Sequence, residues 1–360
     1  MNDLYAALSR KMGKQVVNTA HQEKSLQGGT LGDVRLVSGI AETESGEKFP
    51  FDVVHKKQKT WERFGDPLSW RREYDLYHAG FDHFVSGDLH MPACYRTKMN
   101  GDATEMELWM AYVSGVSGAA LTADMLEKAA YLWGRFQGKH SAQDDALRRL
   151  HCLNDAGFLQ REFEEWHTQR FHYDYLITEQ CRMPEHLKQR LKSGEVKLID
   201  GKSFEYACLR SDCFGVPTHI KEMLADLDNR RGEMFAELQQ FPTVLCHGDF
   251  FNENIFCADG QITLIDWDTA HWGFPGEDVA CLLVDGMPVE RFDENIRRLI
   301  PAYINGLSES GYTALPSAKL IVTMSLIKFG YRMLQEHIFE HEPWGLHALE
   351  KLHEIMGELH

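Results

Sequence analysis

The sequence has no long hydrophobic run. No stretch of its 360 residues approaches the roughly 20 apolar residues that span a bilayer, so we expect no membrane partner. Residues 1–20 also lack the apolar run that is typical of a secretory signal. These two absences lead us to expect a cytoplasmic protein.

The sequence also lacks paired cysteines. Its eight cysteines are scattered, and none of them forms a C-x-x-C motif. The closest pair is Cys208 and Cys213, and no second pair completes the four ligands that a structural zinc site needs. We interpret the cysteines as reduced thiols, in the core or at the surface, which agrees with a cytoplasmic location.

The sequence has fewer basic than acidic residues. The chain has 38 Lys and Arg against 54 Asp and Glu, a formal net charge of −16. A binding surface for a phosphate backbone requires a basic patch, so we do not expect nucleic acid as a partner. An acidic field can attract a cationic substrate, although more often it only keeps a protein soluble. The charge of the substrate therefore stays open.

Along the chain, the sequence changes from patterns typical of strands to patterns typical of helices. A chain of 360 residues exceeds what one core usually supports, which predicts two lobes. Alternation over residues 34–36 and 49–56 predicts a hairpin, and Asn100-Gly101 is the turn signal of a second hairpin. We predict a bilobal α+β fold. A small antiparallel β lobe with one helix spans residues 1–112, and a larger, mostly helical lobe spans 113–360.

Several helix boundaries can also be predicted. Apolar residues spaced by four predict a short helix over residues 2–13. Pro67 and Gly80 match the residue preferences at the start and the end of a second helix. Thr122 is a suitable N-cap for a third helix. The Ser- and Gly-rich residues 114–118, which precede it, have the composition of a linker.

The most informative stretch is Val244–Asp268, where polar residues lie among apolar ones. Asp249 is followed by Asn254, and Asp266 ends a predicted strand after a tight turn. Burying a carboxylate costs several kcal/mol unless the group is paired or binds a metal. One interpretation is that these are loop acids beside a core hairpin. The alternative is a catalytic base with two metal ligands.

The spacing within this stretch suits phosphoryl transfer. A hairpin of this length can return Asp266 beside Asn254, and Mg²⁺ prefers such oxygen ligands together with phosphate and water. Asp249 is then free to accept the proton of a hydroxyl nucleophile. Positioning and charge neutralisation dominate catalysis of this reaction.

The same residues resemble a known family. HGDFFNEN at 247–254 and LIDWD at 264–268 are similar, in order and spacing, to the catalytic loop and metal-binding aspartate of the aminoglycoside phosphotransferase and choline kinase family. Its members share the protein-kinase-like fold. The resemblance implies ATP (or GTP) and Mg²⁺ as cofactors. It also implies a role as base for Asp249 and as metal ligands for Asn254 and Asp266.

The resemblance extends to the first lobe. Lys56 resembles the strand lysine that contacts nucleotide phosphates, with Lys57 as a competitor for that position, and Glu73 resembles its helical partner. In both cases the alternative is an ordinary charged residue in contact with solvent. Three residues resemble the glycine-rich loop that covers the phosphates, although a lone GG-x-x-G is also an ordinary turn: Gly28, Gly29 and Thr30.

The resemblance also implies roles for residues that are identified only by their position relative to these motifs. Met110 and Tyr112 correspond to the segment whose backbone binds the adenine ring. Asp278 resembles an aspartate that braces the catalytic loop through backbone N–H groups, and His247 is expected to be a packed histidine with a similar role. Neither of these two residues is predicted to be catalytic.

The acceptor is the least determined feature. Asp268, Trp272 and Glu277 are candidates for substrate contacts, because a carboxylate beside a tryptophan can hold a cationic amine. Packing in the core is the alternative for the tryptophan. An amino alcohol, an aminoglycoside and a sugar-like alcohol all remain open, as do the choice between ATP and GTP and the oligomeric state.

Two other functions are compatible with the motifs. One is a nucleotide-binding pseudokinase that acts as a regulatory module, although all the chemical residues are present. The other is a protein kinase of the same fold. The chain has no Arg before the predicted catalytic Asp, no DFG and no APE, which favours a small molecule as the acceptor.

Overall fold

The computed structural model describes residues 3–26, 32–141, 147, 149–165, 176–179, 184–194, 215–340 and 343–359. The chain forms two compact units. The first comprises Met1–Leu121, Arg148–Leu153 and Glu253–Ala270, and the second comprises Thr122–Leu147, Asn154–Asn252 and His271–His360. The first unit therefore includes a late segment of the chain, and the division into residues 1–112 and 113–360 stays a prediction.

A five-stranded antiparallel sheet forms most of the first unit. Its strands have the order β1-β2-β3-β6-β5. They are β1 (Val16–Ser25), β2 (Gly32–Thr43), β3 (Lys48–Lys59), β5 (Cys94–Met99) and β6 (Glu105–Ala111). The predicted β5–β6 turn is present, and Asn100 Oδ1 accepts backbone N–H groups from Thr104 at 2.8 Å and Glu105 at 3.1 Å. The sequence did not predict β1, an edge strand that is exposed along most of its length.

Helix α1 (Asp3–Met12) covers one face of this sheet. Its Leu4, Ala7 and Leu8 are buried in one apolar cluster with residues of the sheet that include Val53 and Trp109. The predicted spacing of apolar residues by four therefore gives this helix its buried face. Because successive strand residues alternate between faces, Val53 on this face places Lys56 of β3 on the opposite face.

Helix α2 (Ser69–His78) lies between Pro67 and Gly80, as predicted. A second sheet of the first unit has the order β4-β10-β9-β7. Its strands are β4 (Leu89–His90), β7 (Val116–Ser117), β9 (Ile255–Ala258) and β10 (Gln261–Leu264). The predicted β9–β10 turn has positive φ at Asp259 (50°) and Gly260 (76°), the conformation of a type I′ hairpin.

The prediction of a linker over residues 114–118 is wrong in one respect. Val116 and Ser117 pair with Cys257 and Phe256 as strand β7. Two residues are too short for an alternating pattern, so composition alone suggested a linker. At Gly115 the backbone lies very close to β9, because a Cβ on this residue would lie 2.7 Å from the carbonyl oxygen of Cys257.

The second unit is mostly helical. Two short strands, β8 (Val244–Cys246) and β11 (His271–Gly273), pair antiparallel within it. Its helices are α3 (Ala123–Lys139), α4 (Phe158–Glu165), α5 (Glu185–Lys192), α6 (Thr218–Asn229), α7 (Arg231–Leu238), α8 (Glu277–Val284), α9 (Phe292–Glu309), α10 (Ala318–Gln335) and α11 (Pro343–Glu358). Thr122 caps α3 as predicted, and its side chain accepts the N–H of Met125 at 3.3 Å. No helix among the described residues is long and apolar enough to cross a membrane.

Two glycines let α3 and α9 approach closely. A Cβ at Gly306 would lie 2.2 Å from the carbonyl oxygen of Tyr131, and a Cβ at Gly134 would lie 2.2 Å from that of Tyr303. Both distances are far shorter than a van der Waals contact, so each glycine is required by packing against backbone that has no freedom to move away.

We expect Gly306→Ala to lower the free energy of unfolding by about 2 kcal/mol, because the added methyl forces the two helices apart. Urea denaturation followed by circular dichroism measures the change. The matched control is Gly357→Ala in α11, where a Cβ meets nothing within 4 Å. That change should stabilise the protein by up to about 1 kcal/mol through helix propensity alone. Equal effects of the two substitutions would contradict the packing explanation.

Candidate active site

In the first unit, one lysine bridges two carboxylates from different elements. The Nζ atom of Lys56 on β3 lies 2.6 Å from Oε2 of Glu73 on α2 and 2.6 Å from Oδ1 of Asp266, which follows β10. Only 11% of the lysine side chain and 2% of the glutamate side chain are exposed, against 37% of the aspartate side chain. The structure therefore brings together the three charged residues that the sequence selected for nucleotide and metal binding.

The sequence explains why these side chains converge. Lys56 lies on the face of β3 that is not covered by α1. Glu73 shares its buried helix face with Trp70 and Tyr77, which anchor α2 in the core of the unit. Burial of the ammonium by itself lowers the pKa of Lys56, but the carboxylates of Asp266 and Glu73 outweigh burial and hold the pKa above its usual range.

Asp266 is held in an unusual backbone conformation. Its φ is 65°, a left-handed value that few non-glycine residues adopt, although aspartate tolerates it better than most. The strand register brings Asn254 next to it, because the N–H of Ile265 donates to the carbonyl oxygen of Asn254 at 3.1 Å. Asn254 is buried, with 7% of the residue exposed. One carboxamide and one partly exposed carboxylate are hard oxygen donors, a set that fits Mg²⁺.

A second network, which the sequence did not predict, braces the segment after Asp266. The carbonyl oxygen of Asp268 accepts hydrogen bonds from Ser69 Oγ and Arg72 Nη1, each at 2.9 Å. Arg72 also forms two hydrogen bonds of 2.5 and 2.6 Å with the buried carboxylate of Asp66. The Asp268 side chain lies 3.8 Å from the guanidinium of Arg63, so a cation of the protein already faces this predicted substrate contact.

In the second unit, the loop that follows β8 is held by Asp278 at the start of α8. Its Oδ2 accepts the N–H of His247 at 2.9 Å, and its Oδ1 accepts the N–H of Gly248 at 2.8 Å. Trp133 Nε1 and Gln137 Nε2 donate to the same Oδ2 at 2.8 and 3.2 Å. The predicted bracing of the loop by Asp278 is confirmed by these contacts.

Asp278 is fully buried, and burial raises the pKa of its carboxyl, while the ammonium of Lys328 opposes that rise. The N–H groups of two backbone and two side-chain donors satisfy its two oxygens. Because each of these groups donates, they favour the ionised carboxylate, which only accepts. The buried carboxylate of Asp278 can therefore hold the loop in its ionised form at neutral pH.

Asp249 lies in this loop and is half-buried. Its N–H faces Nδ1 of His247 at 3.3 Å, and its carbonyl oxygen accepts the N–H of Phe251 at 3.1 Å. His247 is fully buried, as expected of a packed histidine. The local hydrogen bonds thus fix the backbone on both sides of the residue that the sequence selected as the base.

Glu277 is buried in a different network. Its Oε1 lies 2.8 Å from His271 Nε2, its Oε2 accepts the N–H of Phe274 at 3.2 Å, and its side chain is 1% exposed. Although burial raises the pKa of a carboxyl, the charge and the hydrogen bond of His271 outweigh it and lower the pKa of Glu277. This environment suits a structural group better than a contact for an acceptor.

The remaining predicted site residues have varied surroundings. Gly28, Gly29 and Thr30 lie outside the described residues. Met110 on β6 is buried, whereas Tyr112 is 43% exposed. Trp272 on β11 is half-buried, and its backbone N–H donates to the carbonyl oxygen of Asn154 at 2.9 Å. Adenine binding through backbone atoms leaves no side-chain signature, so the assignments of Met110 and Tyr112 to the adenine site stay predictions.

The chain is similar to known phosphotransferases in sequence and in fold. The model of the Phosphotransferase enzyme family (APH) matches residues 62–315. Among solved structures, a mutant aminoglycoside 2'-phosphotransferase-IIIa in complex with GDP has 13% identity, covers 99% of this chain and 98% of its own, and gives a TM-score of 0.50. Choline kinase from Cryptosporidium parvum Iowa II has 13% identity, covers 94% and 90%, and gives a TM-score of 0.53. No curated protein matches the sequence.

The fold is that of the protein-kinase-like phosphotransferases, with an antiparallel β-rich first part and a helical second part, as predicted. The chain belongs to the Phosphotransferase enzyme family, whose model covers more than half of it. It is therefore a phosphotransferase enzyme. The predicted resemblance to aminoglycoside phosphotransferases and choline kinases is confirmed.

The buried pair of His271 and Glu277 predicts a pH dependence of stability. Because the folded-state pKa of Glu277 is lowered from 4.5, its contribution is complete above that value and is lost as the pH falls through the folded pKa. We expect Glu277→Gln to be less stable than wild type by about 3 kcal/mol at pH 7, with a difference that shrinks below about pH 4.5.

Urea denaturation at a series of pH values from 7 to 3 measures this difference. Glu290→Gln, which removes an exposed carboxylate, is the matched control and should leave the free energy of unfolding nearly unchanged at every pH. A stability difference for Glu277→Gln that stays constant down to pH 3 would show that the carboxylate is not the stabilising group.

Proposed function

We propose that this protein transfers the γ-phosphate of ATP (or GTP), bound with Mg²⁺, to a hydroxyl group of a small molecule. The observation that carries the proposal is the Lys56 ammonium, bonded at 2.6 Å to both Glu73 and Asp266. A buried cation held by two carboxylates has a fixed position and a permanent charge. Such a group can neutralise nucleotide phosphates without moving far.

We assign the metal ion to Asn254 and Asp266. Bound there, Mg²⁺ would supply charge neutralisation at the phosphate oxygens of the nucleotide. The exposed fraction of Asp266, 37%, supports access of an ion to its carboxylate. The lysine would share the phosphate oxygens with the ion, and Glu73 would keep the ammonium in place.

Asp249 is the proposed general base. Its carboxylate accepts the proton of the acceptor hydroxyl, the hydroxyl oxygen forms a bond to the γ-phosphorus, and the bond from that phosphorus to the bridging oxygen breaks. The nucleoside diphosphate then leaves. Asp278 and His247 hold the loop that carries Asp249, which supports a base of fixed position rather than a mobile surface acid.

We propose an amino alcohol, an aminoglycoside or a sugar-like alcohol as the acceptor. The similar solved structures are an aminoglycoside phosphotransferase and a choline kinase, and the net charge of −16 is compatible with a cationic molecule. Asp268 remains a candidate contact with Arg63 beside it, and Trp272 remains one as a half-buried aromatic residue. The GDP in the aminoglycoside enzyme keeps GTP open beside ATP as the donor.

We place the reaction in the cytoplasm. The free thiols among the described residues suit a reducing compartment: Cys94, Cys152, Cys246, Cys257 and Cys281. ATP and GTP are also available there as phosphate donors.

The proposal is tested with wild-type protein, labelled ATP or GTP, Mg²⁺ and a panel of amino alcohols, aminoglycosides and sugars. Phosphorylation of at least one acceptor is expected. Nucleotide binding without transfer to any acceptor would favour the pseudokinase, and label incorporated into protein would favour a protein kinase. Absence of nucleotide binding, with no thermal stabilisation by ATP or GTP and Mg²⁺, would contradict the proposal altogether.

We expect Asp249→Asn to lower kcat by about 10²–10⁴-fold, the usual contribution of a general base, while the Kd for nucleotide changes less than about 2-fold. Steady-state kinetics and calorimetric titration give the two values. Asp259→Asn is the matched control, because asparagine tolerates the positive φ of that exposed turn residue. A lost affinity for nucleotide in Asp249→Asn would argue against the assigned role.

We expect Asp266→Asn to raise the Mg²⁺ concentration that gives half-maximal nucleotide binding by at least about 10-fold, because Asp266 is the charged one of the two ligands that we assign to the ion. The thermal shift produced by nucleotide, measured across a Mg²⁺ titration, reports this concentration without requiring turnover. The same titration on Asp259→Asn should match wild type. An unchanged midpoint in Asp266→Asn would remove this residue from the metal site.

A further inference from the structure

The peptide bond between Gly248 and Asp249 is held at both of its polar groups. Its carbonyl oxygen, on Gly248, accepts a hydrogen bond from Nζ of Lys328. Its N–H, on Asp249, faces Nδ1 of His247 at 3.3 Å. The orientation of this peptide plane decides where the Cα–Cβ bond of Asp249 points, and therefore where its carboxylate lies.

This peptide needs external restraint because of the residue before it. Gly248 has a φ of +84°, a value that a glycine adopts without strain. A glycine also has access to many other backbone conformations, so its own geometry does not keep the next peptide in one orientation. Asp278 restrains the N–H groups of His247 and Gly248 on the upstream side, and its carboxylate has no contact with the carbonyl of Gly248 that could replace the lysine.

Lys328 comes from α10, far along the chain from the loop. Its ammonium is surrounded by acidic and thiol groups of two helices: Glu162 from α4, and Glu277, Asp278 and Cys281 from α8. Burial lowers the pKa of a lysine, but these groups, with Glu162 first among them, outweigh burial and hold the pKa of Lys328 above its usual range. The group is therefore a permanent cation in a half-buried position.

Stability alone gives a weak reason for such a cation. Replacing a buried charged group and its partners by apolar side chains of similar size is often neutral or stabilising. A methionine has nearly the length of the lysine stem and would fill the same space. What a methionine cannot do is donate a hydrogen bond to the carbonyl of Gly248. The hydrogen bond, rather than the volume, is therefore the property that the lysine supplies and a methionine does not.

We propose that Lys328 is a positioning residue that fixes the peptide before Asp249 and thereby aims the carboxylate of Asp249 at the acceptor hydroxyl. This inference rests on the proposed function of Asp249 as the base. It assigns to α10 a role in the reaction that neither the loop motif nor the family resemblance indicates. Lys328 itself is not expected to contact the nucleotide or the acceptor.

The kinetic test compares Lys328→Met, Lys328→Arg and wild type on an acceptor that wild type phosphorylates. We expect Lys328→Met to lower kcat by about 10- to 100-fold, the scale of a misplaced catalytic group, with the KM for nucleotide changed less than about 2-fold. Lys328→Arg keeps a donor and should recover at least a third of wild-type kcat. Lys319→Met, on the exposed face of α10, is the matched control and should retain wild-type kcat.

A structural measurement tests the same inference without turnover. Hydrogen exchange of a peptide that covers residues 247–251 should be at least about 5-fold faster in Lys328→Met than in wild type, because the loop loses one restraint. Peptides from α3 and α9 report global stability and should exchange as in wild type. Faster exchange everywhere would mean a general loss of stability, which would overturn a local positioning role.

The outcomes separate this inference from the proposed function. If wild type phosphorylates no acceptor, the proposed function fails, whatever the loop does. If wild type is active and Lys328→Met keeps both kcat and the exchange rate of the loop, the proposed function stands and the role of Lys328 is refuted. A KM for nucleotide that rises as much as kcat falls would also overturn it, since positioning of the base acts on the chemical step.

Discussion

The contact of one lysine with two carboxylates is the constraint on which the first unit depends. Lys56, Glu73 and Asp266 come from a strand, a helix and the end of a hairpin, so their contact requires all three elements to be in place. Three buried or half-buried charges so close together would be unfavourable in any other arrangement. The alternative interpretation of these residues as separate surface charges therefore does not describe the folded protein.

In the second unit, the corresponding constraint is that a polar loop must be held inside an apolar core. Asp278 accepts the N–H groups at the start of the loop, and Lys328 donates to a carbonyl within it. Together a buried anion and a half-buried cation satisfy backbone polar groups of this loop. The pair also limits the net charge buried beside the loop. The same two charged groups thus hold the backbone of the loop that carries Asp249.

Local chemistry explains which features the sequence could predict. Asn100 and the Asp259-Gly260 pair specify their turns by themselves, and the motif around Asp249 has a fixed spacing. Strand β1 has no such signal, because an exposed edge strand carries mostly polar residues on both faces. The contact of Arg72 with Asp66 and the contact of Lys328 with the loop depend on tertiary structure. Nothing in the residues next to them in sequence indicates a partner.

The membership of residues 253–270 in the first unit has a consequence for biosynthesis. Strand β4 pairs with β10, so Leu89 meets Ile262 only after more than half of the chain has been made. An N-terminal fragment that ends at Leu121 would expose the edges of β4 and β7 and would leave Lys56 without Asp266. During translation, the first unit therefore cannot finish folding before most of the second unit has left the ribosome. Until then, the nascent chain carries unpaired strand edges that chaperones are suited to cover.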